Sequence, residues 1–201
     1  MRTSISAALV IAASLTVGAV SAQSTPPANP AKQNAAPTGT PAAKPSRLVI
    51  QGFASPLSPT WVATTPSSSM RVAQFAIPAA KGAEAGEMAV FFFPPGQGGS
   101  PDANIQRWAS QFTGPNGQAV TPKISSESVG GMRLTLVELQ GTYARGVGMG
   151  PTGDAKPNQT LLVALVETTV GRITLQLYGA NKTISAQRSN FTKLAKGFRP
   201  A

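Results

Sequence analysis

The 201-residue sequence contains neither histidine nor cysteine, and these two absences exclude whole classes of site. Without imidazole or thiolate, the chain cannot form a Ser-His-Asp triad, a cysteine nucleophile, a disulfide framework or a zinc site built on those ligands. Acidic residues are also scarce, with 7 Asp+Glu against 17 Lys+Arg. So few carboxylates argue against a two-carboxylate glycosidase and against a calcium cage. We therefore expect no metal, no cofactor and a function other than catalysis.

The first 22 residues have the pattern of a secretory signal peptide. Arg2 precedes an apolar stretch over residues 5–20, and small residues occupy positions −3 and −1 of a cut after Ala22. The stretch is shorter and more polar than a membrane span, which needs about 20 mainly apolar residues. The sequence thus predicts export to the periplasm or the cell exterior, with no transmembrane segment after cleavage. An uncleaved N-terminal anchor is the alternative.

Residues 23–46 predict a disordered Pro/Ala-rich linker. They contain six prolines and no Leu, Ile, Val or aromatic residue. Such a segment cannot bury enough apolar surface to offset the entropy lost on ordering. A Pro-rich ligand for a recognition domain is the alternative. The remaining residues, 47–201, have the length of one globular domain, which must be stabilised by packing without disulfides.

Several runs in this domain have the alternation and the flanking breakers of β-strands: residues 48–53, 70–77, 87–93, 132–139, 160–166 and 172–178. The run 160–166 is apolar throughout, which predicts burial on both faces. Phe91, Phe92 and Phe93 alternate between the faces of their strand, so we expect both faces to be covered and the strand to be central. Gly171 in the short join before residue 172 predicts an antiparallel hairpin.

Two segments have helical periodicity. Ser100 matches an N-cap residue, Pro101 the first helical position and Asp102 the positive end of the helix dipole. An apolar stripe follows at spacings i, i+3, i+4 and i+7, formed by Ile105, Trp108, Ala109 and Phe112. A second helix is predicted over residues 182–198. Few helices and short connections predict an α+β fold, with an antiparallel sheet packed by two main helices.

The Gly-rich segment before the first helix is the most distinctive stretch. Gly98 and Gly99 lead into Ser100, and a loop at a helix N-terminus directs backbone N–H groups and a positive dipole end outward. This pattern predicts a place for a small anion. The alternative is a tight strand-to-helix crossing capped by Ser100, since the known phosphate-loop patterns are absent.

Three residues outside the predicted core are candidate contact residues. Trp61 lies in no periodic run, which is typical of a loop residue that contacts a partner or of one that fills the edge of a core. Tyr143 and Arg145 begin a second Gly-rich segment, which forms either the rim of a site or a long surface connection. Arg107 points away from the apolar stripe of the first helix, so we expect a solvated charge.

The second predicted helix carries a basic face. Lys182, Lys193 and Lys196 lie opposite its apolar stripe, and no acidic residue occurs from Gly179 to the end. Such a face attracts phosphate, anionic lipid headgroups or acidic polysaccharide with a strength that falls as salt rises. The export signal and the lack of any nucleic-acid-binding motif argue against nucleic acid. A solvated face without a dedicated partner is the alternative.

The motif GQGGS, followed by Asn104, Arg107-Trp108 and Gln111-Phe112, resembles a group of uncharacterised exported bacterial proteins. The resemblance covers residues 52–198 and implies no assigned activity. The order of elements, with a closing helix over residues 183–198, is remotely similar to the PsbP-like fold, an α/β/α sandwich. That likeness implies a binding or accessory role.

The sequence therefore predicts a non-enzymatic secreted or periplasmic accessory protein, whose partner is another protein or an anionic envelope polymer. Its contact residues would be Trp61, Gly98, Gly99, Ser100, Tyr143 and Arg145, with Lys182, Lys193 and Lys196 supplying electrostatic attraction. A carrier of a small anion at the Gly-rich loop is the second hypothesis and a hydrolase the third. The oligomeric state is left open.

Overall fold

The computed structural model describes residues 46–144 and 154–201, which all belong to one compact unit. Its elements in chain order are β1 Arg47–Ile50, β2 Phe53–Pro56, β3 Val62–Thr64, β4 Arg71–Ile77, β5 Gly86–Phe93, α1 Pro101–Ala109, β6 Phe112–Thr113, β7 Lys123–Val129, β8 Met132–Tyr143, β9 Lys156–Thr168, β10 Gly171–Ala180, α2 Asn181–Gly197 and β11 Arg199–Pro200. The predicted signal peptide, nearly all of the predicted linker, and Arg145 lie outside the described residues.

The strands form a large sheet and a small one, and every strand pair among the described residues is antiparallel. The large sheet has eight strands in the order β3-β4-β5-β10-β9-β8-β6, with β7 also pairing with β8. The predicted hairpin is the β9–β10 pair, and β5 lies inside the sheet between β4 and β10. The predicted α+β fold, with two helices on an antiparallel sheet, is confirmed.

The two helices pack on opposite faces of the large sheet. On one face, Ile184 and Leu194 of α2 join Leu175 of β10 in the first core. On the other face, Ile105 and Trp108 of α1 pack on β8 and β9 in the second core. Strand β9 is buried on both sides because it lies between the two cores, as its apolar run predicts.

The small sheet, β1-β2-β11, adds its apolar side chains to the α2 face. Leu48, Ile50 and Phe53 belong to the first core. The Ser55 hydroxyl donates a 2.6 Å hydrogen bond to the Leu194 carbonyl, which ties β2 to α2. Within the described residues, the α2 face is thus covered by a 17-residue helix and a second sheet, whereas the opposite face has only the nine-residue α1.

Candidate functional site

Because α1 is short, it covers only part of the sheet face on which it packs. Within the described part of the chain, the other end of that face is open. On that face Phe91 of β5 lies opposite Thr174 of β10, and Ala89 lies opposite Gln176. The rings of Phe91 and Phe93 stack 6.3 Å apart with a 7° interplanar angle and remain half-buried. The expectation that both faces of β5 are fully covered is therefore wrong, because α1 packs over β8 and β9 rather than over β5.

Two adjoining cavities lie on this open face, with volumes of about 310 Å³ and 400 Å³. Four residues line both cavities: Arg71, Gln111, Tyr143 and Gln176. The shared lining makes them one continuous depression, which we call the α1 groove. Its walls come from strands and from α1, so its shape is fixed by hydrogen-bonded backbone rather than by loops alone.

A β-bulge directs Arg71 into the α1 groove. In a regular strand, Arg71 and Ala73 would face the same side, and Ala73 packs against the first core. The register shifts between these two residues, so that Arg71 lies opposite Phe91 while Ala73 lies opposite Val90. Phe91 and Val90 face opposite sides of the sheet. The extra residue thus turns the Arg71 side chain to the groove, a common effect of bulges beside functional sites.

Arg71 forms one wall of the groove together with Gln74 and Glu87. Its Nη1 donates to Glu87 Oε1 at 2.7 Å and to Gln74 Oε1 at 2.8 Å, and Gln74 Nε2 donates to Glu87 Oε2 at 3.0 Å. The Arg71 side chain is only 8% exposed. Because each member of the cluster bonds to the other two, the wall is a fixed polar surface whose opposite charges largely cancel.

Two tyrosine rings, Tyr143 and Tyr178, also line the groove. Tyr143 lies 4.9 Å from Phe112 and 4.5 Å from Tyr178, measured between ring centroids. The β6–β8 pairing places Phe112 directly opposite Tyr143, and Phe112 is buried in the second core. Tyr143, a residue predicted to contact a partner, therefore does line the groove, held there by a core residue behind it.

The Gly-rich loop before α1 encloses an arginine. Arg172 Nη2 donates to the carbonyls of Gly98 at 3.1 Å and Gly99 at 2.7 Å, and its guanidinium lies 5.8 Å from the centre of the Phe93 ring. Gly98 has φ +76, and a Cβ there would overlap the Phe93 ring, so only glycine fits. The loop's carbonyls thus bind a cation of the protein itself.

The start of α1 is closed by its own cap. Ser100 Oγ accepts a hydrogen bond from the Ala103 N–H at 3.2 Å, which satisfies one of the free donors of the first turn. Asp102 adds negative charge in that turn. Together with the carbonyls of Gly98 and Gly99 around Arg172, these contacts favour the strand-to-helix crossing over an anion site.

Trp61 lies in the first core, on the opposite side of the sheet from the groove, and is 1% exposed. Its Nε1–H donates a 2.9 Å hydrogen bond to Gln187 Oε1 of α2. Because α2 supplies this acceptor, the whole indole is buried without leaving a polar group unsatisfied. Its prediction as a surface contact residue is wrong, and the alternative, a tryptophan that fills the core, holds.

Acidic residues from neighbouring strands interrupt the predicted basic face of α2. Lys196 lies 2.7 Å from Glu127 of β7, and Arg188 lies 2.7 Å from Glu138 of β8. Lys182 and Lys193 are exposed. The face is thus less positive than the helix sequence alone suggests, and its two exposed lysines lie eleven positions apart along the helix.

The Arg188–Glu138 pair predicts a defined pH dependence of stability. The hydrogen bonds from Arg188 lower the pKa of Glu138 despite partial burial, aided by the charges of Arg188 and Lys123 and by Gln140. A lowered pKa in the folded state means that the stabilisation is present above the pKa of an unfolded glutamate, about 4.3, and is lost as pH falls through the folded value.

We expect Glu138→Gln to lower the free energy of unfolding at pH 7 by about 1 kcal/mol. The effect is this small because the Arg188 side chain is 43% exposed, so solvent screens the ion pair. Urea denaturation at pH 7 and pH 3 measures the effect, and the gap to wild type should close at the lower pH. Glu84→Gln removes the well-exposed Lys156–Glu84 pair and serves as the control with little change. An equal gap at both pH values would contradict the prediction.

Two absences hold among the described residues. No three acidic side chains come close enough there to hold a metal ion. Across residues 46–144 and 154–201, neither helix has the length and apolarity required to cross a bilayer.

Comparisons with known proteins leave the family open. No protein-family model matches the chain. No curated protein matches it. Among solved structures, the cyanobacterial PsbP protein CyanoP from Synechocystis sp. PCC 6803 has a TM-score of 0.49 at 13% identity, over 84% of this chain and 99% of that chain. The protein of unknown function PA94 from Pseudomonas aeruginosa has a TM-score of 0.47 at 13% identity, over 70% of this chain and 97% of that chain. The remote PsbP-like resemblance concerns the fold alone.

Sequence reasoning missed most residues of the groove. Glu87, Phe91 and Phe93 share one face of their strand, as do Gln176 and Tyr178 of theirs. The alternation of β10, with Thr174, Gln176 and Tyr178 opposite an apolar face, is a signal that could have indicated a solvent-facing polar surface. The bulge at Arg71 has no comparable signal.

Proposed function

We propose that this chain is a non-enzymatic binding protein whose partner docks in the α1 groove. The observation that carries the proposal is the pairing of half-exposed aromatic rings, Phe91 and Phe93, with fixed polar side chains around one concave surface. Binding sites commonly combine apolar walls with a few polar groups that fix orientation. The predicted signal peptide supports a location outside the cytoplasm.

The state of Glu87 supports binding over catalysis. Both oxygens of Glu87 accept hydrogen bonds, one from Arg71 and the other from Gln74, so the carboxylate is held as a structural acceptor. Histidine and cysteine are absent from the whole sequence, which removes the commonest bases and nucleophiles. What the groove offers a partner is shape, aromatic surface, side-chain amides and the guanidinium of Arg107.

The amides of Gln111 and Gln176 lie in the part of the groove that both cavities share. Each side-chain amide can donate and accept hydrogen bonds, which suits it to peptide or sugar groups of a partner. Aromatic and arginine side chains are the residues most enriched at the energetic centres of interfaces. A partner bound here would place its apolar part on Phe91 and Phe93 and its polar groups against the glutamines.

The test compares a groove-filling variant with a matched surface variant. Gln176→Trp fills the shared part of the groove, whereas Val62→Trp adds the same bulk on the exposed strand β3, away from both cavities. Affinity capture from an envelope extract, quantified by mass spectrometry, should recover one partner with wild type and Val62→Trp. Recovery with Gln176→Trp should fall at least about 10-fold, which corresponds to the loss of one interface anchor.

Thermal unfolding checks that both variants are folded before capture. Recovery of the same partner by Gln176→Trp at the wild-type level would refute binding in the groove. If Val62→Trp also fails to recover the partner, the contact surface includes the edge strand β3.

A further inference from the structure

We infer that the α1 groove takes the carboxyl-terminal aromatic residue of a peptide, with Arg107 binding the terminal carboxylate. This inference rests on the proposed function and names its ligand. It follows from four features of the groove: an arginine without an acidic partner, the anchoring of that arginine, a stacked aromatic floor, and amides that continue into the second cavity.

Arg107 has no acidic partner in the protein. All seven acidic residues of the sequence lie in residues 46–144 and 154–201, so no other part of the chain can supply a side-chain carboxylate. Five of the seven are in ion pairs with other basic residues, and none of the seven lines the 400 Å³ cavity that Arg107 lines. A carboxylate at Arg107 must therefore come from another molecule.

The guanidinium of Arg107 is anchored beside the cavity. Its Nη2 donates to Asn104 Oδ1 at 2.5 Å, and Asn104 Nδ2 donates to the carbonyls of Gly98 at 2.7 Å and Ser100 at 3.0 Å. One of the five guanidinium donors is thus used for positioning, and the others remain for a ligand. A planar guanidinium is matched to two carboxylate oxygens, and holding it in place reduces the entropy lost on binding.

The aromatic floor lies in the same cavity as Arg107. Phe91 and Phe93 present stacked, half-buried rings, and Arg71, which lies opposite Phe91 on the neighbouring strand, is already bonded to Glu87. The only guanidinium of this cavity not engaged by an acid of the described chain is therefore Arg107. Aromatic rings pair favourably at centroid distances of about 4.5–7 Å, so a ligand ring fits on this surface better than a polar group does.

The continuation of the groove favours a peptide over a free aromatic acid. From the Arg107 cavity the surface passes Gln111 and Gln176 into the 310 Å³ cavity, where Tyr178 and Lys156 lie. Peptide groups preceding a terminal aromatic residue alternate donors and acceptors, which the glutamine amides can match. A free aromatic acid would fill only the first cavity and leave these amides to water.

The test uses a fluorescein-labelled peptide, Ala-Ala-Ala-Phe, with a free terminal carboxylate, titrated with the purified full-length chain and followed by anisotropy. The same peptide with an amidated C-terminus is expected to bind at least about 10-fold more weakly, since a charge-assisted hydrogen bond is lost. Unlabelled 3-phenylpropanoate should compete at least about 10-fold less well than the unlabelled peptide. Affinity should fall as salt rises.

Two variants separate the role of Arg107 from general positive charge. Arg107→Gln should weaken the free-carboxylate peptide about 10-fold and leave the amidated peptide unchanged. Lys193→Gln removes the same charge from the exposed face of α2 and should change neither affinity. Both residues are exposed, so both variants should fold.

Equal affinity of the free and amidated peptides, an unchanged affinity of Arg107→Gln, or no binding of the peptide to wild type would each overturn the inference. Competition by 3-phenylpropanoate as strong as by the peptide would overturn the peptide part of it. If the peptide fails while Gln176→Trp still loses the captured partner, the ligand class is wrong and groove binding stands. If Gln176→Trp retains the partner, the proposed function itself fails.

Discussion

Trp61→Ala is expected to lower the free energy of unfolding by about 3–5 kcal/mol, the usual cost of removing a buried aromatic side chain. The indole is 1% exposed and packs in the core between the large sheet and α2. Its removal leaves a cavity and also leaves Gln187 Oε1 without the 2.9 Å hydrogen bond from the indole. Urea denaturation followed by far-ultraviolet circular dichroism measures the change.

Trp61→Phe provides the graded comparison. It keeps an aromatic ring in the core and loses mainly the hydrogen bond to Gln187, so a smaller cost of about 1–2 kcal/mol is expected. Both variants should bind the groove ligand normally where they are folded, because Trp61 lies on the other face of the sheet. A cost for Trp61→Ala below about 1 kcal/mol, within the range of a surface substitution, would contradict its place in the core.

Arg172→Met is expected to cost about 2–3 kcal/mol, because it removes the hydrogen bonds from the charged guanidinium to the Gly98 and Gly99 carbonyls and leaves Gly98 only its bond from Asn104. The Glu167 ion pair adds little to this figure, since it is 3.7 Å long and the Glu167 side chain is 42% exposed. The loop that carries Gly98 should also loosen from Phe93, which weakens ligand binding in the groove. Urea denaturation and hydrogen exchange at the Gly98 and Asn104 amides measure the two effects.

Arg133→Met is the matched control for Arg172→Met. Both arginines lie directly opposite Glu167, Arg172 on β10 and Arg133 on β8. Arg133 is exposed, and we expect its replacement to change stability by no more than about 0.5 kcal/mol. Equal costs for the two variants would show that the shared acid, rather than the Gly-rich loop, explains the effect of Arg172.

The long strands with a buried face were predictable from the sequence, whereas β6 and β7 were not, and a turn divides the run 48–53, predicted as one strand, into β1 and the start of β2. The runs at 160–166 and 172–178 lie within β9 and β10 because their apolar residues require burial. Strand β7, with the sequence KISSESV, is almost wholly exposed and has no apolar alternation. It forms because β8 offers an unpaired edge, which depends on where β8 lies in the sheet.

The candidate site was only partly predictable. Tyr143 was identified as part of a predicted Gly-rich loop, and the structure places it at the end of strand β8, where it lines the groove. Ser100 was predicted to contact a partner, but its side chain caps α1 by accepting a hydrogen bond from Ala103, and it lines neither cavity of the groove. Trp61 was misplaced because a residue outside a periodic run has no local signal of burial. Arg107 was expected to be solvated, and it is exposed. Its place beside the groove was not predictable, because the sequence does not show which strand face adjoins the first helix.

Composition and periodicity by themselves determined that this chain lacks imidazole and thiolate chemistry, that it forms an antiparallel sheet with two helices, and that positive charge exceeds negative charge. These properties depend on residue counts or on the spacing of residues along the chain, so they can be predicted without knowing which residues are in contact in the folded protein. The tertiary structure decided which charges cancel, as between Arg188 and Glu138, and which remain, as at Arg107. It also decided, through one bulge, that Arg71 faces the groove. The side of the sheet to which a side chain points depends on the register of its strand with the neighbouring strand, which the sequence alone does not show.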